Sequence, residues 1–131
     1  VKEASGDLGQ IRAIIDKSPE GFHVISGDDA ITTDVIAFGG IGVISVFANA
    51  FPVEMAWLVK SALEGNAAGA RHKMNDDFDA LFHLMFVEGN PAGVKCLLYL
   101  RGMIHNILRL PLVSVSENTL LEIKKELAKF S

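Results

Sequence analysis

Residues 1–65 alternate between helix-type and strand-type sequence, and this alternation constrains the fold more than any other feature of the chain. Apolar residues recur at helical spacing over Leu8–Ser18, and a short β-branched and aromatic run follows at Phe22–Ser26. A second helix is predicted over Ala30–Phe38, and a second strand over Ile41–Val46, which is apolar on both faces. Strands that alternate with helices form parallel sheets with right-handed crossovers, so the sequence predicts an α/β protein.

The rest of the chain carries helical signals only. A helix from Pro52 to Glu64 closes the alternating part, and further helices are predicted over Ala67–Phe86, from Pro91 onward, and over Glu117–Phe130. The apolar residues predicted to face inward on the last two helices are Val94, Leu97, Leu98, Met103, Leu120, Leu121, Ile123 and Leu127. The predicted N-terminal caps are Ser5 or Asp7, Asp28 or Asp29, Asn90 and Ser116. We therefore predict two parts, a partial β/α barrel over 1–65 and a helical extension over 66–131.

The predicted sheet is too small to be complete. Two strands are whole, and a third, which ends near Lys2, is cut almost at its end. A closed eight-stranded β/α barrel needs about 200–250 residues, whereas this chain has 131. The open edges of a partial sheet pair readily with other strands. The sequence therefore predicts the last part of a larger β/α barrel, followed by a helical tail.

Composition excludes several other classes of protein. The net charge is -4, half of the residues are hydrophobic and 21% are charged, which excludes a disordered tail and a basic nucleic-acid module. One cysteine, Cys96, allows no intrachain disulfide and fits a reduced, cytoplasmic compartment. The uncharged run Val35–Val53 is interrupted by three glycines and Pro52, so no membrane span is predicted. The chain opens without Met or a targeting peptide, which predicts a trimmed product.

Three motifs at predicted strand ends are candidates for chemistry. Lys2 lies where active sites of β/α barrels gather, and a desolvated lysine there can attack a carbonyl to form a Schiff base. Gly27, Asp28 and Asp29 follow the next strand and could orient a polar substrate or bind a cation. The segment ending at Val46 could present backbone carbonyls at the same edge. Each motif also has a plainer interpretation: a solvated terminal lysine, helix capping and a core strand, respectively.

The histidines do not predict a metal site. His72 and His83 share one helix but are eleven residues apart, about 16 Å, which is too far for a common metal ion. Cys96, in an apolar helix, is predicted to be a small core residue. We therefore expect no metal and no catalytic cysteine.

Taken together, the motifs resemble the dihydrodipicolinate synthase family of class I, lysine-dependent aldolases and lyases. The matching pieces, in family order, are Val1–Asp7, Ser26–Ala30, Gly39–Val46, Phe86–Pro91 followed by Lys95, and Leu108–Leu112. The resemblance covers nearly the whole chain. It implies the end of barrel strand six, strands seven and eight, and a three-helix C-terminal extension, with the earlier part of the barrel missing.

The resemblance also implies a reaction. Lys2 matches the Schiff-base lysine, which would form an imine with pyruvate and, through the enamine, attack aspartate semialdehyde in diaminopimelate and lysine biosynthesis. Ile44 matches the position whose backbone carbonyl lies beside bound pyruvate, while Gly27, Asp28 and Asp29 match the loop facing the second substrate. No cofactor is implied beyond the covalent imine. The implied partners are the missing N-terminal part and further copies of the chain, with no nucleic acid and no membrane.

The sequence departs from the family pattern in ways that leave alternatives open. Phe47 stands where the family often has threonine, the one tyrosine, Tyr99, lies in the helical tail, and the arginine that receives the substrate carboxylate has no counterpart. A lone Lys2, fully solvated, would be a poor nucleophile. We therefore expect this chain alone to be inactive. The alternatives are a sister lyase, such as N-acetylneuraminate lyase or a keto-deoxy sugar acid aldolase, and a non-catalytic assembly module.

Overall fold

The computed structural model describes residues 1–130 and is mostly helical, with a small parallel sheet. The elements in chain order are β1 (Lys2–Glu3), α1 (Leu8–Lys17), β2 (Ile25–Ser26), α2 (Thr32–Ala37), a 3₁₀ helix (Phe47–Asn49), α3 (Pro52–Leu63), α4 (Ala67–Phe86), α5 (Ala92–Leu100), α6 (Glu117–Leu127) and a second 3₁₀ helix (Ala128–Phe130). The chain divides into two compact units, Val1–Asp77 and the residues from Phe78 onward. The α/β class predicted from the alternation is therefore confirmed.

The sheet brings three chain segments together in parallel. Lys2 of β1 pairs with Ile25 of β2, and Glu3 pairs with Ser26. On its other side Ser26 forms a single parallel bridge with Val43. Two hydrogen bonds hold that bridge: the Ser26 N–H donates to the Gly42 carbonyl (2.8 Å) and the Ile44 N–H donates to the Ser26 carbonyl (2.9 Å). All three segments therefore end at the same edge of the sheet.

Both whole strands predicted from the sequence were too long. The first strand was predicted over Phe22–Ser26, but it covers only Ile25–Ser26, and Phe22 is 49% exposed. The second was predicted over Ile41–Val46, but it forms only the single bridge at Val43. A regular strand needs hydrogen-bonded neighbours along its length. Among residues 1–130, the segment around Val43 has such a neighbour on one side only, which leaves most of its backbone outside a ladder.

Helix α1 begins as predicted. The Asp7 carboxylate accepts the Gln10 N–H at 3.0 Å, which satisfies a backbone donor that the first helical turn leaves free. Ile11 on this helix is fully buried. Helices α1 and α3 both pack against α2, and Phe47 stacks on Phe51 with ring centroids 4.9 Å apart. These contacts form the core of the first unit.

The predicted cap of α2 was wrong. The helix covers Thr32–Ala37 instead of Ala30–Phe38, and its N-cap, Ile31, makes no side-chain capping bond. Asp28 accepts the N–H of Ala30 (2.9 Å), in a turn that precedes the helix. Asp29 binds backbone groups far along the chain instead. The carboxylates thus shape the loop between β2 and α2, and neither begins the helix.

In the second unit, Ser116 caps α6 as predicted, since its hydroxyl accepts the Thr119 N–H at 3.3 Å. Glu88 reinforces this cap by accepting hydrogen bonds from the N–H (2.8 Å) and the hydroxyl (2.6 Å) of Ser116, and from the Thr119 hydroxyl. Hydrogen bonds from Ser116 and Thr119 lower the pKa of Glu88 because they favour the carboxylate form. The chain from Gly89 to Val115 is therefore closed at both ends by one cluster of polar groups.

Three details of the helical prediction were wrong. Met103 (58% exposed) and Leu121 (56% exposed) face solvent instead of the core. Helix α5 has Pro91 as its N-cap, without a side-chain bond, so Asn90 is not the cap. Met103 lies beyond Arg101, where α5 has already ended, so helical spacing does not extend to it.

Within residues 1–130, no helix combines the length and the apolar character that a membrane crossing requires.

Candidate active site

Lys2 lies on β1 with its side chain running across the loop after β2. A methyl group placed on Gly27 would come within 2.8 Å of the Lys2 Cε atom and within 2.6 Å of the Ala4 Cβ atom. Real non-bonded carbon atoms approach to about 3.5–4.0 Å. The lysine stem therefore occupies space that only a glycine at position 27 leaves open. The structure thus brings together two of the residues singled out from the sequence, Lys2 and Gly27.

Alternation along the strands separates two faces of the sheet. Glu3 and Ser26 point into the first unit, with 9% and 0% of their surfaces exposed. Lys2 and Ile44 are both exposed, Ile44 by 53%. Neighbouring residues along a strand point to opposite faces. The side chain of Lys2 therefore belongs to the sheet face opposite the buried Glu3, and residues 1–130 leave it open to solvent.

Glu3 fixes the chain as it leaves β1. Its carboxylate accepts the Ser5 N–H at 3.1 and 3.2 Å and the side-chain amide of Gln10 at 3.0 Å. Ser5 in turn accepts the Asp7 N–H at 3.1 Å. Burial of a carboxylate is costly unless its oxygens are hydrogen-bonded, and Glu3 meets that requirement. Glu3 was not predicted as a site residue, although its position next to Lys2 on a strand was a signal available in the sequence.

Asp28 and Asp29 occupy different surroundings. Asp28 is half-buried, and its carboxylate accepts the Ala30 N–H. Asp29 is 6% exposed, and one of its oxygens, Oδ2, accepts the N–H groups of Val46 and Phe47, both at 3.1 Å. Its other oxygen, Oδ1, is buried and accepts no hydrogen bond from residues 1–130. Asp29 therefore connects the loop after β2 to the turn after Ile44.

The pKa of Asp29 is raised. Its burial, which disfavours the charged form, is the main cause. Hydrogen bonds from the N–H groups of Phe47 and Val46 act in the opposite direction, and the charge of Asp28 adds a small upward effect. Burial and hydrogen bonding therefore shift the pKa of Asp29 in opposite directions, and the effect of burial is the larger.

The described residues offer neither a metal-binding cluster nor an activated thiol. In the part of the chain that the structure describes, no three His, Cys, Asp or Glu side chains come close enough to hold a metal ion. Cys96 is buried on α5, where desolvation raises the pKa of its thiol and the nearby charge of Glu88 raises it further. A thiol in such surroundings is a poor nucleophile.

A largely apolar groove of 610 Å³ lies beside the bridge segment. It is lined on one side by Gly42, Val43 and Ser45 and on the other by α3, including Met55, Val59 and Leu63. The backbone edge of Val43 that faces away from Ser26 has no strand partner among residues 1–130. The lateral side of the sheet at Val43 is therefore unpaired among residues 1–130, and the apolar groove lies next to this open edge.

Comparison with known proteins gives this arrangement a family. A model of the dihydrodipicolinate synthetase family matches residues 1–130. The 4-hydroxy-tetrahydrodipicolinate synthase of Azobacteroides pseudotrichonymphae is 49% identical over 130 residues, which are 99% of this chain and 44% of that protein. The chain belongs to the dihydrodipicolinate synthetase family, as its motifs predicted. It spans less than half the length of the curated relatives it matches.

Solved structures agree with this assignment. Dihydrodipicolinate synthase from Aquifex aeolicus superimposes with a TM-score of 0.92 at 34% identity, covering 98% of this chain and 44% of that chain. The chloride-inhibited enzyme from Acinetobacter baumannii, solved in complex with pyruvate, gives a TM-score of 0.89 at 31% identity, covering 97% and 43%. The small sheet and its helices therefore match part of the fold of these synthases.

Proposed function

We propose that this chain is the C-terminal part of a lyase that condenses pyruvate with aspartate semialdehyde through a lysine Schiff base, on the route to diaminopimelate and lysine. The observation that carries the proposal is Lys2 at the shared edge of a parallel sheet, with its stem fitted over Gly27. The family match over residues 1–130 supports it. In this proposal residues 1–65 belong to the barrel and 66–131 form a three-helix extension.

Lys2 acts as the nucleophile in this scheme. Its neutral amine adds to the ketone carbon of pyruvate, and loss of water gives an imine whose positive nitrogen draws electrons. Loss of a proton from the pyruvate methyl group gives an enamine, and the enamine carbon attacks the aldehyde of aspartate semialdehyde. The amine of the second substrate then attacks the imine carbon, which closes the ring and releases Lys2. The imine nitrogen serves as the electron sink, so the scheme needs no cofactor.

The other site residues take supporting roles. The Ile44 carbonyl is proposed to lie beside the bound pyruvate, because Ile44 follows the bridge residue Val43 at the edge that also holds Lys2. Gly27 and Asp28 are proposed to face the second substrate, from the loop that Lys2 crosses. Asp29 is predicted with them by its place in the motif, although its side chain is buried.

The groove beside Val43 is proposed to receive the remainder of the same protein. The relatives are more than twice as long as this chain. The family resemblance implies that the additional length would include most of the barrel strands. A preceding strand could pair with the open edge while its apolar side chains fill the groove. Because Lys2 is exposed without such a cover, we expect the chain alone to be inactive. We further propose that the whole enzyme is a homo-oligomer.

Trapping with borohydride tests the function directly. The whole protein and the 131-residue chain are incubated with pyruvate, reduced, and digested for mass spectrometry. We expect a pyruvyl adduct on Lys2 in the whole protein and none in the chain alone. Lys2→Arg should abolish the adduct in the whole protein. Its matched control, Lys17→Arg on the exposed last turn of α1, should leave the adduct intact.

Two outcomes would contradict the proposal. Equal labelling of several lysines would show that Lys2 has no special reactivity. A wild-type adduct without turnover of aspartate semialdehyde, but with cleavage of sialic acid, would make the enzyme a sister lyase. An adduct on the chain alone would overturn only the predicted inactivity. Size-exclusion chromatography of that sample would then show whether a second copy closes the open edge.

A further inference from the structure

The backbone around Ile44 is fixed on both sides of a single carbonyl. On the N-terminal side, the Ile44 N–H donates to the Ser26 carbonyl at 2.9 Å. On the C-terminal side, the Val46 N–H donates to the Asp29 carboxylate at 3.1 Å. The Ile44 carbonyl lies between these two anchors, so its direction depends on both.

The C-terminal anchor depends on Asp29. The same oxygen also accepts the Phe47 N–H at 3.1 Å, across 18 residues of sequence. The Ser45 hydroxyl accepts the Ala48 N–H at 2.8 Å, which closes the turn locally. Hydrogen bonds to a charged or partly charged carboxylate are about twice as strong as those between neutral groups. Removal of the carboxylate would therefore release the N–H groups of Val46 and Phe47, in the turn that follows Ile44.

Asp29 is more deeply buried than Gly27 and Asp28, the two residues that precede it in the same motif. Asp29 is 6% exposed, whereas Gly27 and Asp28 are half-buried. Its bonded oxygen is occupied by two N–H groups and its other oxygen is enclosed. A side chain in this position supports the backbone and has little surface to offer to a substrate.

We propose that Asp29 is a positioning residue, which holds the Ile44 carbonyl in place for the pyruvate imine through the turn at 45–47. The inference rests on the proposed function and deepens it, because it assigns Asp29 to the pyruvate end of the site instead of the second substrate. The geometry therefore predicts that loss of Asp29 impairs formation of the imine.

The test compares Asp29→Ala and Asp29→Asn in the whole enzyme, with Asp16→Ala on the exposed face of α1 as control. For Asp29→Ala we expect the rate of borohydride trapping with pyruvate to fall by about tenfold or more, in line with the cost of small misplacements in active sites. The KM for aspartate semialdehyde should change little. Asparagine keeps one carbonyl oxygen for the two N–H groups, so Asp29→Asn should recover much of the trapping rate.

Amide hydrogen exchange supplies a second readout that does not depend on activity. The Val46 and Phe47 amides should be protected in the wild type and in Asp29→Asn, and should exchange faster in Asp29→Ala. Thermal unfolding checks that each variant folds. If Asp29→Ala does not fold, Asp29→Asn decides, since it should then combine near-normal exchange with a small loss of trapping.

The outcomes separate this inference from the proposed function. Normal trapping with a raised KM for aspartate semialdehyde would overturn the inference and make Asp29 a contact of the second substrate. Unchanged amide exchange in Asp29→Ala would remove its physical basis. Absence of any adduct in the wild type would refute the proposed function, and with it the role of Asp29 in imine formation, even if the amides respond as expected.

Discussion

Substitution of Gly27 by alanine tests the most specific steric feature of the site. The added Cβ atom would stand 2.6 Å from the Ala4 Cβ atom, 2.8 Å from the Lys2 Cε atom and 3.1 Å from the Glu3 carbonyl oxygen. Ordinary carbon contacts are about 3.5–4.0 Å, so two of these distances fall short by roughly an ångström. The Lys2 stem is flexible and can move away, whereas Ala4 and Glu3 can yield only if the backbone shifts.

The magnitude follows from these two responses. Overpacking of this kind costs about 1–3 kcal/mol of folding free energy. Displacement of a reacting group by about 1 Å can reduce a rate by about a hundredfold. We therefore expect Gly27→Ala to lower the melting temperature moderately and to slow pyruvate trapping on Lys2 by about ten- to a hundredfold in the whole enzyme.

The assay pairs borohydride trapping with thermal unfolding, and Gly65→Ala serves as the matched control. Gly65 has a positive φ of 94° after α3, and a Cβ atom there would meet nothing within 4 Å. Alanine at that position costs backbone strain of about 1 kcal/mol and leaves Lys2 untouched. A wild-type rate of pyruvate trapping in Gly27→Ala would refute the argument that Gly27 makes room for the lysine. An equal loss of trapping rate in Gly27→Ala and Gly65→Ala would refute it as well.

Three further predictions concern the second unit and are measured by unfolding and labelling. Glu88→Gln should lower the melting temperature at pH 7. This difference from the wild type should vanish as the pH falls through the lowered pKa of Glu88, because a carboxyl group with a depressed pKa stabilises the fold only while it is ionised. A difference that does not depend on pH would contradict this prediction. Gly93→Ala should cost about 1–3 kcal/mol, since its Cβ atom would lie 2.6 Å from the Met85 carbonyl carbon, and near-wild-type unfolding would rule the clash out. Cys96 should resist iodoacetamide at pH 8 in the native state and react after denaturation.

Features with local causes were predictable from the sequence. Helix α4 covers the predicted Ala67–Phe86, because its apolar spacing and length are both strong signals. Ser116 was predicted as a cap, and Asp7 was one of two predicted candidates with Ser5, since a cap involves residues three apart. The position of Lys2 at a strand end followed from the alternation of elements and was confirmed by its pairing with Ile25.

Features that depend on distant partners were not predictable in the same way. Asp29 was predicted to be a possible helix cap, but its hydrogen-bond partners lie 17 and 18 residues away, and no local pattern reports them. Leu121 fits the apolar stripe of α6 but is 56% exposed, because burial requires a facing surface that helical spacing does not reveal. The strand around Val43 fell short for the same reason, since among residues 1–130 it has a hydrogen-bonded neighbour on one side only.

The parallel pairing of Lys2 with Ile25 has a consequence for folding. The two residues are separated by a crossover that contains α1, a helix of ten residues, and helices this short are marginal on their own in water. Neither the helix nor the two-residue strands are therefore expected to be stable before the other has formed. Lys2 reaches its position only when the crossover, the strand pair and the turn tied to Asp29 form together, so the assembly of the site should coincide with the cooperative folding of the first unit.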